Sequence, residues 1–421
     1  MLSKSQLKQI LVEQRASILK KEFGIEREVL KNVKDKIKLP HIIVLTGVRR
    51  SGKSTILRQI INKFYNDKDF YYINFEDERL FNFNASEFNF IYQELVKLFS
   101  EKKVFFIDEI QNIGNFETFV RRFYDDGFKF YLTGSNARLL SKELGTKLTG
   151  RHLDIIVKPF SFKEFLKLKN FEIKGNAAYI TETRARIIKY FDEYLSRGGM
   201  PEYLIYDDIE ILTRTYEDIV VKDIITRYKV NNITQIKELY QYLITNFSNK
   251  FSFNNIKKII NFGSVNTIKR YISYLEETYL ARTVNKFDYS LKKQLINDKK
   301  IYIIDNGFIR IISKKLTKDK GFLLENLVFN IFNNKFDVFY ESNKSECDFL
   351  LVKNKKVDMA VQVSFELNNE NKERELRGLL NAMNKFKVKN GMILTYNDED
   401  EIRIDNKKIK IKPIWKMLIE D

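Results

Sequence analysis

The chain contains almost none of the residues that build zinc sites or disulfide frameworks. One cysteine and two histidines occur in 421 residues, which excludes a zinc site made only of Cys and His ligands and excludes a disulfide-stapled fold. Four prolines and 16 glycines argue against flexible linkers and disordered tails. No apolar run approaches the roughly 18 residues that a membrane span needs, and the N-terminal stretch carries charges throughout. We therefore expect a cytoplasmic protein without a membrane partner.

The length and the charge of the chain limit its possible architecture and partners. A chain of 421 residues, 44% of them hydrophobic, is too long for one ordinary core and is expected to form several domains. The net charge of +18 favours a nucleic-acid partner, because basic surfaces release counterions from phosphate backbones. Lysine, asparagine and isoleucine are abundant everywhere, however, and no block of consecutive Lys or Arg stands out. A compositional bias of the genome therefore explains the charge equally well.

The strongest signal is a strand, a glycine loop and a helix in the stretch HIIVLTGVRRSGKSTILRQII. An apolar run over residues 42–45 precedes Gly47-x4-Gly52-Lys53-Ser54, and an amphipathic pattern follows, as a P-loop requires. The glycines let backbone N–H groups wrap a phosphate, Lys53 would reach the β- and γ-phosphates of ATP, and the Ser54 hydroxyl would ligate Mg²⁺. The predicted nucleotide-binding residues are Gly47, Val48, Arg49, Arg50, Ser51, Gly52, Lys53, Ser54 and Thr55.

The second half of an ATPase site is expected at the ends of two further strands. Asp108 and Glu109 follow the apolar run of residues 104–107, and the carboxyl ends of parallel strands form the ligand-binding edge of an α/β sheet. Asp108 would hold Mg²⁺ through water, and Glu109 would be the base that polarises the attacking water. Asn136, after the strand FKFYLTGS, would sense the γ-phosphate. Arg151 is either an arginine finger for a neighbouring subunit or the partner of a local carboxylate.

Several linked stretches resemble the archaeal-type ATPase family of AAA+-like P-loop proteins: GVRRSGKST, FIDEIQN, LTGSNARLLSKELGTKLTGRH, PFSFKEF and the Gly-Gly-x-Pro turn of LSRGGMPEYL. The resemblance covers nearly the whole chain. It implies an α/β fold, with a P-loop AAA+-like parallel sheet core, a helical lid, a winged-helix domain and a C-terminal restriction-endonuclease-like α/β domain. On this basis we predict the ATPase core with its N-terminal helices at residues 1–165, the lid at 166–230, the winged helix at 231–298 and the nuclease-like domain at 299–421.

The predicted winged helix consists of three helical patterns and a ribbon. TQIKELYQYLITNF is amphipathic, and SFNNIKKIINF and SVNTIKRYISYLEETYL each begin with a serine N-cap. In the third helix Lys269 and Arg270 lie largely opposite the apolar face. Two helices joined by a tight glycine-containing turn fit a helix-turn-helix, with ARTVNKFDYSLKK as the wing. We predict that Lys269 and Arg270 contact DNA, and the alternative is a winged helix that binds protein.

The C-terminal segments read as helix, three strands, helix and strand, an order that suits a PD-(D/E)xK nuclease fold. In active members the acids hold Mg²⁺ and a lysine orients the attacking water. By the resemblance, Glu325 corresponds to the acid of the helix, Asp348 to the acid of the second strand, and Gln362 to the third metal-side position. Ser364 occupies the lysine position. The site therefore departs from the pattern at its most diagnostic residue.

Three residues near Ser364 could compensate for this departure, Glu366 as a replacement carboxylate and Lys372 or Arg374 as a replacement cation. Glu366 lies on the same strand face, because strand side chains alternate with a period of two. Lys372 and Arg374 come early in the following helix and would have to swing a cation back into the site. None of them matches the family pattern, so a metal-binding remnant is favoured over a working nuclease.

The whole sequence predicts an ATPase that uses Mg²⁺ and ATP to reposition a winged helix and a degenerate nuclease-like domain on DNA. Two alternatives remain open: an ATP-regulated, metal-dependent DNA nuclease, and a signalling or scaffold ATPase that binds protein partners. A homo-oligomer is required if Arg151 acts on the nucleotide of a neighbouring subunit.

Overall fold

The structure is a computed structural model that describes residues 3–81, 83–135, 148, 150–173, 175, 179–313, 320–342 and 345–420. The chain divides into two compact units, residues 1–160 with 277–279 and residues 161–276 with 280–421. The predicted γ-phosphate sensor Asn136 lies outside the described residues.

The first unit is built on a parallel sheet with the strand order β2-β3-β4-β1-β5. Its strands are β1 (Ile42–Thr46), β2 (Tyr71–Asn74), β3 (Val104–Asp108), β4 (Lys129–Gly134) and β5 (His152–Ile156). Along β1, Ile42 and Val44 pack into one apolar cluster, whereas Ile43 and Leu45 pack into another. A strand that is covered on both faces reads as a continuous apolar run. The predicted α/β fold with a parallel-sheet core is confirmed.

Helices supply the apolar clusters on both faces of this sheet. Those of the first unit, within the described residues, are α1 (Lys4–Lys20), α2 (Leu30–Ile37), α3 (Lys53–Phe64), α4 (Phe88–Phe99) and α5 (Phe116–Asp125), with short 3₁₀ turns at Glu78–Leu80, Ala85–Glu87 and Ile110–Asn112. Helices α4 and α5 contribute to the cluster of Ile42, and α2 and α3 contribute to the cluster of Ile43. The nucleotide loop between β1 and α3 is therefore anchored at both ends in buried elements.

The second unit contains two sheets. The small antiparallel sheet has the order β6-β8-β7 and consists of β6 (Lys250–Phe251), β7 (Ala281–Asn285) and β8 (Lys299–Ile303). The larger mixed sheet has the order β13-β14-β12-β11-β10-β9 and consists of β9 (Asp337–Ser342), β10 (Glu346–Lys353), β11 (Lys356–Ser364), β12 (Asn390–Thr395), β13 (Asp400–Ile404) and β14 (Lys407–Pro413).

The second unit contains helices before, between and after the strands of its two sheets. Within the described residues they are α6 (Phe162–Leu168), α7 (Thr181–Arg197), α8 (Pro201–Tyr206), α9 (Ile209–Asp218) with a π-helical continuation at Ile219–Thr226, α10 (Ile233–Thr245), α11 (Phe253–Ile259), α12 (Val265–Glu277), α13 (Leu291–Ile296), α14 (Asn306–Ile312), α15 (Lys320–Phe332), α16 (Lys372–Phe386) and α17 (Ile414–Glu420). No helix in the described part of the chain is both long and apolar enough to cross a membrane.

The region of the predicted winged helix contains α10, α11 and α12 together with the small sheet. The apolar face of α12 is buried through Ile268, Ile272 and Leu275. The predicted wing segment forms β7 and the beginning of α13. Strand β8 begins at residue 299, where the nuclease-like domain was predicted to start, yet it pairs with both β6 and β7. A domain boundary at residue 299 would therefore separate paired strands.

The Gly-Gly-x-Pro turn is fixed by a buried carboxylate that follows β8. Gly198 has φ 76°, and a Cβ at this position would overlap the Asp305 carboxylate. The backbone N–H groups of Gly199 and Gly307 both donate to Asp305. Burial raises the pKa of the Asp305 carboxyl to about 6, although the two N–H groups favour the charged form. This contact ties the turn to the end of β8.

Asp305→Asn is expected to gain stability relative to the wild type as the pH rises. A carboxyl group whose pKa is raised by folding stabilises the folded state most below its ordinary pKa of 3.8, and this contribution is lost as the pH rises through the folded-state pKa of about 6. Above that pH the wild type carries a penalty of roughly 2–3 kcal/mol that an amide does not carry.

The measurement is the difference in Tm between variant and wild type from about pH 4.5 to about pH 7.5. The difference should move in favour of the variant across this range. The same change at the exposed Asp358 should show no such trend. A difference for Asp305→Asn that stays constant with pH would contradict the assignment.

Candidate functional site

The P-loop between β1 and α3 takes a shape that its glycines permit. Gly47 has φ 145° and Gly52 has φ 96°, both in the left-handed region that side chains avoid. A Cβ at Gly47 would overlap the carbonyl oxygen of Val157, so any side chain there would displace the loop. The loop leads into the N-terminus of α3, whose first N–H groups have no partner within the helix and favour a phosphate.

Lys53 is buried at the beginning of α3. Its Nζ donates to the carbonyl oxygens of Gly47 and Val48, each at 3.2 Å. The ammonium is thereby held inside the loop that the sequence assigns to the phosphates of ATP.

Arg27, which has no place in any recognised motif, supports the P-loop from the N-terminal segment. Its Nη1 donates to the carbonyl oxygen of Ser51 at 2.8 Å, and its Nη2 donates to that of Lys158 at 2.6 Å. Its guanidinium stacks over the Phe160 ring at 4.9 Å from the centroid. A Cβ at Gly52 would press against the guanidinium. The arginine therefore fixes the conformation of the loop from the side of the chain that precedes β1.

Asp108 ends β3 and is buried beside the P-loop. The Thr133 hydroxyl donates to its carboxylate, and the Ser54 hydroxyl hydrogen-bonds to the same carboxylate. Burial, followed by the charge of Glu109, raises the pKa of Asp108 to about 6, while the hydrogen bonds from Thr133 and Ser54 act in the opposite direction. The carboxylate and the hydroxyl that were predicted to hold Mg²⁺ are therefore adjacent.

Glu109 follows Asp108 in a left-handed conformation with φ 51°. Its backbone N–H donates to the Thr133 hydroxyl oxygen at 2.9 Å, and its carboxylate accepts a hydrogen bond from the Gln111 side chain. Thr133 therefore positions both acids, since its hydroxyl donates to Asp108 and accepts from the N–H of Glu109. The sequence analysis missed Thr133, although its place at the end of a predicted strand was a usable signal.

Arg151 lies at the end of the first unit beside a local carboxylate. Its Nη2 is 3.3 Å from Asp125 Oδ1, and its guanidinium lies 5.9 Å from the centroid of the Tyr124 ring. This is the arrangement that the local-partner alternative predicts. The role of Arg151 as an arginine finger stays a prediction, because it concerns a second subunit.

Lys269 and Arg270 are exposed on α12. The Lys269 ammonium lies 5.2 Å from the centroid of the Phe253 ring on α11. Their exposure leaves both side chains accessible to a phosphate backbone, and their contact with DNA stays a prediction.

The second unit contains a cavity of about 1170 Å³ that brings together the three residues predicted for a nuclease-like site. Glu325 comes from α15, Asp348 from β10 and Gln362 from β11, and all three are buried. The other lining residues with ionisable side chains are Lys250, Lys300, Glu346, Arg374, Glu375 and Arg377.

Lys300, which the sequence analysis missed, lies at the point where the acidic side chains converge. Its Nζ is 2.9 Å from Glu325 Oε1, 3.0 Å from Glu346 Oε1 and 3.5 Å from Asp348 Oδ1. The side chain reaches the cavity from β8, where Lys300 stands opposite Lys250 of β6. Lys250 Nζ in turn lies 2.9 Å from Glu346 Oε2. The small sheet therefore supplies two cations to an acidic cluster built on the larger sheet and α15.

The charged groups in this cluster shift one another's pKa values. Burial, followed by the charge of Glu325, raises the pKa of Asp348 well above its usual range, and Lys300 acts against this shift. Burial alone would lower the pKa of the Lys300 ammonium, but the charge of Glu325 and the other acidic neighbours holds it well above its ordinary value. The acidic neighbours therefore favour the charged form of Lys300 in this cavity.

Gln362 and Ser364 form their own hydrogen bonds. The oxygen of Gln362 accepts from the backbone N–H of Asp348 at 3.2 Å, and its Nε2 donates to Glu375 at 2.7 Å. The Ser364 hydroxyl donates to the carbonyl oxygen of Glu366 at 2.7 Å. Of the substitutes considered from the sequence, Arg374 lines the cavity and bonds to Glu375. Lys372 and Glu366 are exposed and do not line the cavity.

The two candidate sites differ in how well they fit a divalent cation. Beside the P-loop, a hydroxyl and a buried carboxylate stand next to each other, which is the donor set that Mg²⁺ takes in phosphate-binding sites. In the C-terminal cavity the acids converge on an ammonium instead. Among the described residues, no group of three or more His, Cys, Asp or Glu side chains is arranged to hold a metal ion.

Comparison with known proteins identifies the relatives of this chain. A family model described as an AAA domain matches residues 39–166, and one described as a domain of unknown function, DUF8612, matches residues 188–319. The uncharacterized protein MJ1544 of Methanocaldococcus jannaschii is 40% identical over 99% of this chain and 96% of that protein. An uncharacterized protein of Haemophilus influenzae is 30% identical over 89% of this chain and 94% of that one.

Among solved structures, the Holliday junction branch migration motor RuvB of Thermotoga maritima is 18% identical and covers 62% of this chain and 93% of that one, with a TM-score of 0.29. A score this low carries no argument about the present chain. The relative from Methanocaldococcus jannaschii, by contrast, matches from end to end. The chain therefore belongs to the protein family of MJ1544, and it carries an AAA-type P-loop ATPase domain.

Proposed function

We propose that the protein hydrolyses ATP with Mg²⁺ and uses the cycle to reposition a winged helix and a degenerate nuclease-like domain on DNA. The observation that carries the ATPase proposal is the grouping of Asp108, Glu109 and Thr133 beside the P-loop, with the Ser54 hydroxyl on the Asp108 carboxylate. In this proposal residues 166–230 act as a helical lid, 231–298 as the winged helix and 299–421 as the nuclease-like domain, whose first strand, β8, pairs with the two strands of the winged helix.

The residues of the P-loop would bind and orient the nucleotide. The N–H groups of the loop and of the first turn of α3 would wrap the phosphates. The Lys53 ammonium would exchange its bonds to the Gly47 and Val48 carbonyls for bonds to phosphate oxygens. Ser54 and Asp108 would hold Mg²⁺, which when bound neutralises charge on the β- and γ-phosphates.

Glu109 would polarise the attacking water and receive its proton. A base must be held in the right direction before its pKa matters. Thr133 provides that position, because it fixes the backbone N–H of Glu109 while it bonds to Asp108. The Gln111 side chain donates to the Glu109 carboxylate, so Glu109 would exchange this bond for one to water.

DNA binding is supported by the net charge of +18 and by the exposure of Lys269 and Arg270 on α12. A helix of a helix-turn-helix presents such residues to the phosphates and base edges of the major groove. In a homo-oligomer, Arg151 would have to leave Asp125 to reach a neighbouring nucleotide.

Two other functions make different demands on the protein. An ATP-regulated nuclease requires metal-dependent DNA cleavage that Asp348→Ala abolishes. A signalling or scaffold ATPase requires no DNA binding even at low salt, whereas a phosphate-contacting protein loses affinity steeply as the ionic strength rises. Incubation of the protein with duplex, single-stranded and branched DNA, with and without ATP and Mg²⁺, separates the three.

Glu109→Gln is expected to bind ATP with nearly unchanged affinity and to lose hydrolysis by about 100-fold or more, because the amide cannot accept the proton of water. Lys53→Ala is expected to lose ATP binding itself, because the loop then has no cation for the phosphates. Phosphate release and binding of a fluorescent ATP analogue measure the two effects. The exposed Glu101→Gln is the control, and normal hydrolysis by Glu109→Gln would refute the assignment of the base.

Thr133→Val keeps the side-chain shape and removes both hydrogen bonds of the hydroxyl. We expect kcat to fall about 10- to 100-fold with a smaller change in KM, since a hydrogen bond to a charged group contributes roughly 1.5–3 kcal/mol. Thr46→Val is a matched control, because Thr46 is also buried at a strand end and its hydroxyl has no partner among the described residues. Equal activity of the two variants would exclude a positioning role for Thr133.

Lys269→Ala with Arg270→Ala is expected to weaken DNA binding and to reduce the slope of log affinity against log salt by about two, one for each lost phosphate contact. Affinity for a labelled duplex is measured by fluorescence anisotropy over a series of salt concentrations. Lys31→Ala with Lys34→Ala removes the same charge from exposed positions on α2 and serves as the control. If the two double variants behave alike, α12 is not the DNA contact.

A further inference from the structure

The C-terminal cavity surrounds an ammonium with acids at distances that do not suit a metal ion. The three carboxylate oxygens lie 2.9, 3.0 and 3.5 Å from Lys300 Nζ. Oxygen ligands lie about 2.0–2.1 Å from Mg²⁺ and about 2.3–2.6 Å from Ca²⁺. A divalent ion at this point would require Lys300 to leave and the acids to close inward by about 1 Å.

The acids are also bound by protein donors other than Lys300. Tyr302 donates to Glu325 at 2.6 Å, and the backbone N–H of Val363 donates to Asp348 at 2.9 Å. The second oxygen of Glu346 lies 2.9 Å from the Lys250 ammonium. A metal ion would have to compete with these donors as well as with Lys300.

Gln362 cannot turn its oxygen toward a metal without losing two partners. The Glu375 carboxylate requires a donor in front of it, and the Asp348 N–H requires an acceptor. Only one orientation of the amide satisfies both. The third metal-side position of the predicted site is therefore occupied by an amide whose orientation is fixed by two protein partners.

Lys300 has no easy route out of the cavity. It is only 2% exposed, and its strand β8 is the central strand of the small sheet. A buried cation that leaves its acidic partners loses their attraction and leaves uncompensated charges behind, which is strongly destabilising.

We propose that Lys300 permanently takes the place of the divalent cation in this cavity, so that the wild-type C-terminal site binds no Mg²⁺ or Mn²⁺, and removal of Lys300 opens a site for one such ion. The proposal rests on the nuclease-like assignment of residues 299–421 and is independent of ATP hydrolysis. It explains how the domain keeps the acids of a nuclease-like site without the chemistry, since the internal cation holds them together and excludes the metal.

The first experiment is a Mn²⁺ titration of the nucleotide-free full chain, with free Mn²⁺ measured by electron paramagnetic resonance. All proteins carry Asp108→Asn, so that the P-loop does not contribute a site. A protein with the native C-terminal cavity and a protein with the additional change Asp348→Asn are expected to bind Mn²⁺ equally. A Mn²⁺ ion that is bound with the native cavity and lost on Asp348→Asn would overturn the proposal and leave the nuclease-like assignment intact. This comparison needs no substitution of Lys300.

The second experiment replaces the internal cation. In the same background, Lys300→Ala is expected to gain one Mn²⁺ ion. Its affinity should be about tenfold or more above that of any ion bound by the native cavity. The reason is that a small dication then compensates the charge of the acids that the ammonium has left. Mn²⁺ should also raise the Tm of this protein and not that of its parent. Lys300→Ala combined with Asp348→Asn should lose the gained ion.

Lys299→Ala and Lys300→Arg are the controls. Lys299 is the preceding residue of β8, and its ammonium donates to the carbonyl oxygen of Gln294 and does not line the cavity. Lys300→Arg keeps a cation in the cavity. Neither is expected to gain an ion. If Lys300→Ala folds and gains none, the proposal fails and the nuclease-like assignment loses its support, whereas ATP hydrolysis by the otherwise unmodified chain would be unaffected.

Discussion

A carboxylate that leaves water has to find donors within the protein, and both candidate sites are organised by this requirement. Asp108 receives hydrogen bonds from the hydroxyl groups of Thr133 and Ser54. Neutral donors satisfy its oxygens without supplying a compensating charge, and in the proposed function Mg²⁺ would supply it. Asp348 lies beside the Lys300 ammonium instead. The same residue type at a strand thus bonds to neutral hydroxyl groups in one site and lies beside an ammonium in the other.

The nucleotide loop depends on a second constraint, the close approach of backbone to backbone. Gly47 lies so near the Val157 carbonyl that no side chain fits between them, and the N–H of Val157 donates to the carbonyl of Thr46. The loop is therefore held against β5 on one side and by the Arg27 guanidinium on the other. Such a loop is largely preorganised, and phosphate binding then costs little ordering of the backbone.

The sequence predicted the parts of the sites whose residues follow one another along the chain. Residues 47–55 form a continuous loop and helix start, so one local pattern contains their chemistry. Thr133 and Lys300 were not predicted, because their positions depend on strand pairing between segments that are distant in the chain. Thr133 meets Asp108 only because β4 lies beside β3 in the sheet. No local pattern contains this order of strands.

Lys300 could not be identified from the sequence for a related reason. The family pattern places its lysine on the strand that corresponds to β11, whereas Lys300 lies on a strand of the small sheet. Glu325, Asp348 and Gln362 were found because the resemblance supplied their positions one by one, and the cavity contains all three. The parallel core was predictable for a simpler reason, since strands that are buried on both faces leave continuous apolar runs in the sequence.

The side chains at positions 362 and 364 are coupled through the charges of the C-terminal cavity, which both of them line. Gln362 and Ser364 are neutral, so neither adds a charge to the buried acids and the Lys300 ammonium. A glutamate at position 362 would face the Glu375 carboxylate that Gln362 now donates to, and two carboxylates in contact repel each other. A lysine at position 364 would bring a second ammonium into a cavity in which Lys300 already contacts the acids. Either substitution alone would therefore add an uncompensated charge to a buried site, and this couples the two positions to each other and to Lys300.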